Sequence, residues 1–375
     1  MSDSCCTAAK ADMKAKLRDR VAELTAIVGV SGYEWDVARA IREALIGHVD
    51  SIEVRPNGAL IARRKGSKPG PRVLVSAHMD EVGYTVKSVT GNGFLFFDRV
   101  GGASEVCLPG MRVLVKGDKG IVSGVVGVRP AHLQQRDGCA YVDIAATSRE
   151  EVEALGIRTG AQIVPDSPFR EMANPDYICT RAADCRAMCA VIVETLRRLS
   201  ADDICGEVCA VFNIVEETTI AAVSAAVTLL EPEYGIFLDT IPCGDVPDCD
   251  FERELPVGLN RGPVIVLGQQ WAALGRYAAS HPKLVAALRD AARATGTPHQ
   301  ELAFNGAGYI TDAVGGLYAG KGMAVVTLGL PRRYSHSPVE IFNLNDAVGA
   351  QRVLEAVLKQ PVDLTMIGNW YAPKA

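Results

Sequence analysis

Two textures of hydrophobic and polar positions alternate along this chain. In the first, short unbroken apolar runs alternate with amphipathic stretches of helical period. Arg72-Val73-Leu74-Val75-Ser76 and Val208-Cys209-Ala210-Val211-Phe212 are such runs, as are 234–238, 264–267 and 324–328. Runs of this kind form strands buried on both faces of an α/β sheet. The periodic stretches predict helices over 13–27, 35–46, 183–199, 282–293 and 344–358, with Pro282 opening the fourth. In the second texture, from Gly83 to about Pro168, β-like runs are separated by glycines: 84–89, 94–97, 112–115, 121–128 and 141–144. One helix interrupts them, with Ser148 and Glu151 at capping-box spacing. The simplest organisation is one α/β domain, residues 1–82 and 175–375, with a small β-barrel-like domain inserted over 83–174.

Punctuation refines this picture. Ser31 and Glu34 have capping-box spacing ahead of the second helix. Pro56-Asn57-Gly58 between apolar runs signals a hairpin. The Thr/Ala-rich stretch 218–230 reads as a helix following the 208–214 strand.

Composition removes alternatives. The balance of 39 Lys+Arg against 44 Asp+Glu leaves a net charge of −5, and no basic run interleaved with aromatics is present, which argues against nucleic acid as a partner. No apolar run approaches transmembrane length, and 1–20 lacks the apolar core of a secretory signal, so no membrane partner is expected. Eleven cysteines without zinc or redox spacing are expected to be reduced thiols in a cytoplasmic protein.

Candidate chemistry gathers where the apolar runs end. His78 follows one run, Glu216-Glu217 another and Asp239 a third; Asp184 opens a predicted helix, and His336 lies in Arg333-Tyr334-Ser335-His336-Ser337-Pro338. Open α/β sheets place their chemistry at the carboxyl ends of strands. Adjacent buried carboxylates are costly without a compensating cation, and two imidazoles with three carboxylates suit two borderline divalent ions such as Zn²⁺ or Co²⁺. Successive strand side chains point oppositely, so Glu216 and Glu217 divide their work unless the chain is already turning there. Singly, each residue has an ordinary explanation, as a cap, a turn former or a partner for arginine. Their joint occurrence at strand ends favours a metal site.

Six segments in order resemble the tetrahedral aminopeptidases, the dodecameric glutamyl- and leucyl-type metallopeptidases sometimes labelled endoglucanases. They are His78-Met79-Asp80-Glu81-Val82-Gly83, Arg181-Ala182-Ala183-Asp184-Cys185-Arg186, Val215-Glu216-Glu217, Asp239 with Asp245-Val246-Pro247, Thr311-Asp312-Ala313 and Arg333 to Glu340. The resemblance implies a three-layer mixed-sheet α/β metallopeptidase domain whose inserted β domain makes dimer contacts, with six dimers closing into a dodecamer. It also implies two metal ions per subunit, Zn or Co first and Mn as a further option. Asp184 would bridge them, His78 and Asp239 would complete one site, and Glu217 and His336 the other. Glu216 would be the catalytic base, and Asp80 would orient His78. Substrates would be short peptides with a free N-terminus.

The sequence departs from that family after Glu217, where two glycines are usual and Thr218-Thr219-Ile220-Ala221-Ala222-Val223 stands here. Cys185 occupies a place where Asn or Asp is commoner. Two alternatives follow: a catalytically impaired metal-binding relative serving as an assembly protein, and a glycoside hydrolase. Adjacent glutamates do not supply the facing carboxylates, at least ~5 Å apart, that glycosidic cleavage needs. Arg261, Arg332 and Arg333 raise the separate question of a preference for acidic N-terminal residues.

Overall fold

The apolar runs pair side by side at the centre of a mixed sheet. Strand Cys205–Asn213 lies parallel to Lys68–His78 with Asn213 opposite His78. Lys68–His78 lies parallel to Tyr234–Pro242. That strand in turn runs parallel to Ala324–Arg333, with Asp239 opposite Gly329. Four strands therefore deliver their carboxyl ends to one edge, the edge at which α/β sheets place ligands. The computed structural model describes residues 3–133, 140–305 and 308–364.

Period-two alternation explains the layers. Val73, Val75 and Ala77 pack into a core shared with Leu17, Val21, Ile41, Val191, Leu288 and Leu354. These come from helices Asp3–Ala26, Trp35–Leu45, Ala183–Arg198, Pro282–Ala294 and Leu344–Leu358. The intervening Leu74 faces the other way, with Val211 and Phe237, onto Val223, Val227 and Ala313. Those residues belong to Ala222–Leu230 or open Asp312–Tyr318. The sheet thus sits between two helical layers, and each buried large apolar side chain contributes ~1.5–3 kcal/mol.

The glycine-punctuated region forms a closed six-stranded barrel whose strands run from Gly83 to Pro165. Tyr84, Val86, Leu95, Val113, Val126, Val142 and Ile163 fill it, and closure leaves no free strand edge. Ser148 Oγ accepts from Glu151 N, capping the helix Arg149–Ala154. The barrel is inserted between His78 and Asp184; the chain re-enters the main sheet through Arg170–Glu171 and Tyr177–Thr180. No helix among the described residues is long and apolar enough to cross a membrane.

Three local expectations change. Ser31 and Glu34 form no capping box: Ser31 Oγ donates to Asp80, and Glu34 Oε1 accepts from Gly32 N and Val215 N. Both reach the chemistry because the second helix starts beside the strand ends. The helix after Glu217 begins at Ala222, while Thr218 and Thr219 N–H groups close a turn onto the Val215 carbonyl. Asp239 lies inside strand Tyr234–Pro242, since its pairing with Ala324–Arg333 continues to Pro242.

Candidate active site

The turn after Cys205–Asn213 sets the geometry of the glutamates. Val215 adopts a left-handed conformation with φ +50°, unusual for a β-branched residue and a form of strain found at functional sites. The strand has ended by then, so Glu216 and Glu217 sit on a turn and both face inward.

Asp80 holds that turn. Its Oδ1 accepts from Glu216 N and its Oδ2 from Glu217 N, at 3.1 and 3.2 Å. The same carboxylate lies 3.3 Å from His78 Nδ1 and takes Ser31 Oγ at 2.6 Å. One carboxylate therefore orients the imidazole and fixes both glutamates, an outer-sphere role of the kind metal ligands depend on. Below it, buried Glu81 receives Arg181 and Arg186, the latter at 3.0 Å, while Arg186 also donates to the Met79 carbonyl. This pins the segment that carries His78.

Two groups of ligating atoms share Asp184: His78, Asp184, Cys185 and Asp239 form one, and Asp184, Glu217 and His336 the other, each with its atoms within 4.8 Å of one another. His78 Nε2 is 3.2 Å from Asp184 Oδ1 and 3.8 Å from Asp239 Oδ1. His336 Nε2 is 3.4 Å from Asp184 Oδ2 and 3.2 Å from Glu217 Oε2. Glu216 belongs to neither group, yet its Oε2 lies 3.9 Å from His78 Nε2. Every sequence-predicted site residue is thus present in one cluster or in direct contact with it.

The electrostatics describe a site crowded with negative charge. Burial, reinforced by Asp239 and Asp312, pushes the Glu216 carboxyl well above its usual range. Burial likewise lifts Glu217 to about 7, and burial with Asp184 nearby raises Asp239. Burial opposes charging of the imidazoles, but Asp184 and Asp80 hold His78 well above its ordinary value. Glu217 and Asp184 similarly outweigh burial and raise His336 to about 9. Glu217 Oε1 is buried without a hydrogen-bond partner. Carboxyls raised by burial and like charge, an orphaned carboxylate oxygen and two clustered donor sets are the conditions a divalent cation relieves, so these residues fit metal.

Several neighbours had no assigned role in the sequence. Asp312, within Thr311-Asp312-Ala313, accepts both Asn213 Nδ2 contacts at 3.0 and 2.9 Å and braces the strand end before the glutamates. The barrel reaches back through Gly101-Gly102: a Cβ on Gly102 would lie 2.5 Å from His336 Nδ1, and one on Gly101 would lie 3.2 Å from Glu217 Cβ. The paired glycines were the available signal, but only contact across the fold gives them meaning. The three arginines considered for acidic substrates already have partners within the protein. Arg332 meets Asp184 and Glu340, Arg333 pairs with Asp245, and Arg261 stacks over Phe251. A cleft of about 340 Å³ opens onto the glutamates, walled by Thr218, Ile220, Trp271, Tyr309 and Ile310.

Parallel strand ends bearing these donors, with a barrel inserted beside them, define a metallopeptidase of the α/β class. The chain belongs to the M42 glutamyl aminopeptidase family, whose model matches residues 58–353, and it is accordingly a peptide-bond hydrolase. It is 32% identical over 347 residues to a putative aminopeptidase of Acetivibrio thermocellus, covering 90% of this chain and 96% of that one. Among solved structures it is similar to aminopeptidase APDkam598 of the archaeon Desulfurococcus kamchatkensis, with a TM-score of 0.87, 29% identity and coverage of 93% and 96%. It is also similar to the Pyrococcus horikoshii TET1 peptidase, which can assemble into a tetrahedron or a large octahedral shell. That match has a TM-score of 0.79, 28% identity and coverage of 91% and 99%. The glycoside-hydrolase and non-catalytic alternatives are not favoured by these relationships.

Proposed function

We propose that this protein removes N-terminal residues from short peptides, using two divalent metal ions held around Asp184. The observation that carries the proposal is the pair of donor groups sharing that one carboxylate, with Glu216 outside both. His78 and Asp239 would complete one position, Glu217 and His336 the other. Bound ions would supply Lewis acidity toward the scissile carbonyl and toward the attacking water. Zn or Co suits imidazole and carboxylate donors, with Mn as a further option.

The chain's own residues do the remainder. Glu216, outside both donor groups with its Oε2 3.9 Å from His78 Nε2, would take a proton from the attacking water and return it to the leaving amine. Asp80 keeps the His78 ring and the Glu216-Glu217 turn in register through the contacts above. The cleft lined by Ile220, Trp271 and Tyr309 would receive the first side chain, and the barrel loop Gly101-Gly102 packs closely on Glu217 and His336.

The likeness to an assembling TET peptidase supports a homo-oligomer, with the barrel, assigned to 83–174, as the dimerisation domain and a dodecamer as the closed form. Eight described cysteines are free thiols, which supports a reducing, cytoplasmic setting. The test is a panel of aminoacyl-nitroanilides assayed on chelator-treated protein, then with Zn²⁺, Co²⁺ or Mn²⁺ restored separately. Turnover that returns with metal supports the proposal, and undiminished turnover after verified metal removal sinks it.

A further inference from the structure

We propose that Cys185 is a fourth protein ligand at the His78 position, which makes that position the sulfur-bearing and tighter-binding one of the two. The inference rests on the two-metal reading above and concerns how the positions differ. Cys185 Sγ lies with the ligating atoms of His78, Asp184 and Asp239 in one set, all within 4.8 Å of one another. Zinc bonds of ~2.3 Å to sulfur and ~2.0–2.2 Å to nitrogen or oxygen put neighbouring ligands of a tetrahedral ion ~3.3–3.7 Å apart. His78 Nε2 already stands 3.2 and 3.8 Å from Asp184 Oδ1 and Asp239 Oδ1, and the remaining pairs would close by at most ~1.5 Å.

The rest of the thiol's environment leaves it available. Cys185 is fully buried and forms no disulfide. Its thiol donates to the Leu238 carbonyl at 3.4 Å, a weak bond to give up. Cys189, one helical turn on, is spent differently: it donates to the His78 carbonyl at 3.0 Å and belongs to neither donor group. The nearby thiol outside the donor groups thus provides an internal control.

Donor count then separates the positions. Four buried protein donors, one of them sulfur, would hold an ion more tightly than three, and zinc can expand to five-coordinate, which leaves a place for the attacking water. The second group has three donors, and its His336 side chain is 32% exposed. Sulfur also makes the first position prefer Zn²⁺ or Co²⁺ over Mn²⁺. On ligation the S–H bond breaks, the sulfur electron pair forms the bond to the cation, and the proton leaves to solvent.

The experiment is a Co²⁺ titration of the chelator-treated full chain, followed by ultraviolet and visible absorption and by elemental analysis. A near-ultraviolet thiolate-to-cobalt charge-transfer band should grow with the first equivalent and stop there, while uptake continues to the second. The band should persist in Cys189→Ala. It should vanish in Cys185→Asn, which carries a side chain usual at this place in the resembling family, and first-step affinity should fall at least ~10-fold. Two bound ions without the band in the unaltered protein, or a band that survives Cys185→Asn, would overturn the inference. The first of these results needs only the unaltered protein, so it is decisive even if the variant does not fold. Absence of any cobalt uptake would instead overturn the two-metal reading together with this one.

Discussion

Arg332 Nη2 lies 2.8 Å from Asp184 Oδ2, so the carboxylate shared by both donor groups is also held by a buried guanidinium. The same side chain meets Glu340, itself raised by burial, and donates to Ser335 Oγ at 2.7 Å. Asp184 is consequently kept well below the usual carboxylate range: burial opposes this, but Arg332 and the two histidines outweigh it.

Replacing Arg332 with Met strips Asp184 and Glu340 of their shared cation. Breaking a buried pair by removing one partner costs ~3–5 kcal/mol. Thermal melts of chelator-treated protein should show that loss, and added Zn²⁺ should recover a larger share of stability in the variant than in the parent. Superimposable melts for the two proteins would count against a structural role for the pair.

Glu216→Gln preserves size and turn geometry but cannot accept the proton. Loss of a general base costs ~10²–10⁴-fold, so kcat on a nitroanilide substrate should fall by that range. Elemental analysis should show metal content unchanged. Wild-type kcat in a properly loaded variant would remove Glu216 from the proposed chemistry.

Gly102 is tight against the site, because a Cβ there would stand 2.5 Å from His336 Nδ1. Gly102→Ala should displace the ring and reduce occupancy of the Glu217–His336 position. Misplacement of ~1 Å can cost ~10²-fold in rate. Kinetics and metal content measured together would show both effects; if neither moves, the barrel loop yields instead of the histidine.

Asp346 offers a pH test away from the metal ligands. Its carboxylate accepts from Asn260 N and Gly262 N at 2.6 and 2.7 Å, yet burial lifts it to about 6. A folded-state value above the unfolded one near 3.8 means the folded form binds more protons between them. This contribution to stability is therefore present at low pH and is lost as pH rises from about 4 to 6. The swing is on the order of 3 kcal/mol. Asp346→Asn should remove that part of the slope from denaturant melts taken across the window, and an unchanged slope would refute the assignment.

Much of the site was legible because its residues sit at boundaries that local patterning marks. Apolar runs 72–76 and 208–212 end two residues before His78 and four before Glu216, and short-range sterics make such runs strands wherever they fall. The missing glycines after Glu217 illustrate the opposite case. Close approach does occur there, but it is provided from the facing helix: a Cβ on Gly315 would lie 2.1 Å from the Ile220 carbonyl oxygen. Nothing local to 218–223 announces this. The helix accordingly starts at Ala222, after a turn closed on Val215.

The division follows from the range of the forces involved. Hydrophobic period, turn residues and motif spacing act over a few neighbours, and they suffice for the α/β class, the inserted β region and the roster of candidate ligands. Which donors share Asp184, that Asp80 grips both glutamate amides, and that Ser31 and Glu34 serve the site instead of a helix end are contacts between distant segments. Packing selects those from many arrangements that are locally equivalent, so they emerge only when the strands are laid side by side. Glu216 and Glu217 show both halves. Their place at a strand's end was readable, but their common inward aim depends on a left-handed Val215 held by Glu34 from another part of the chain.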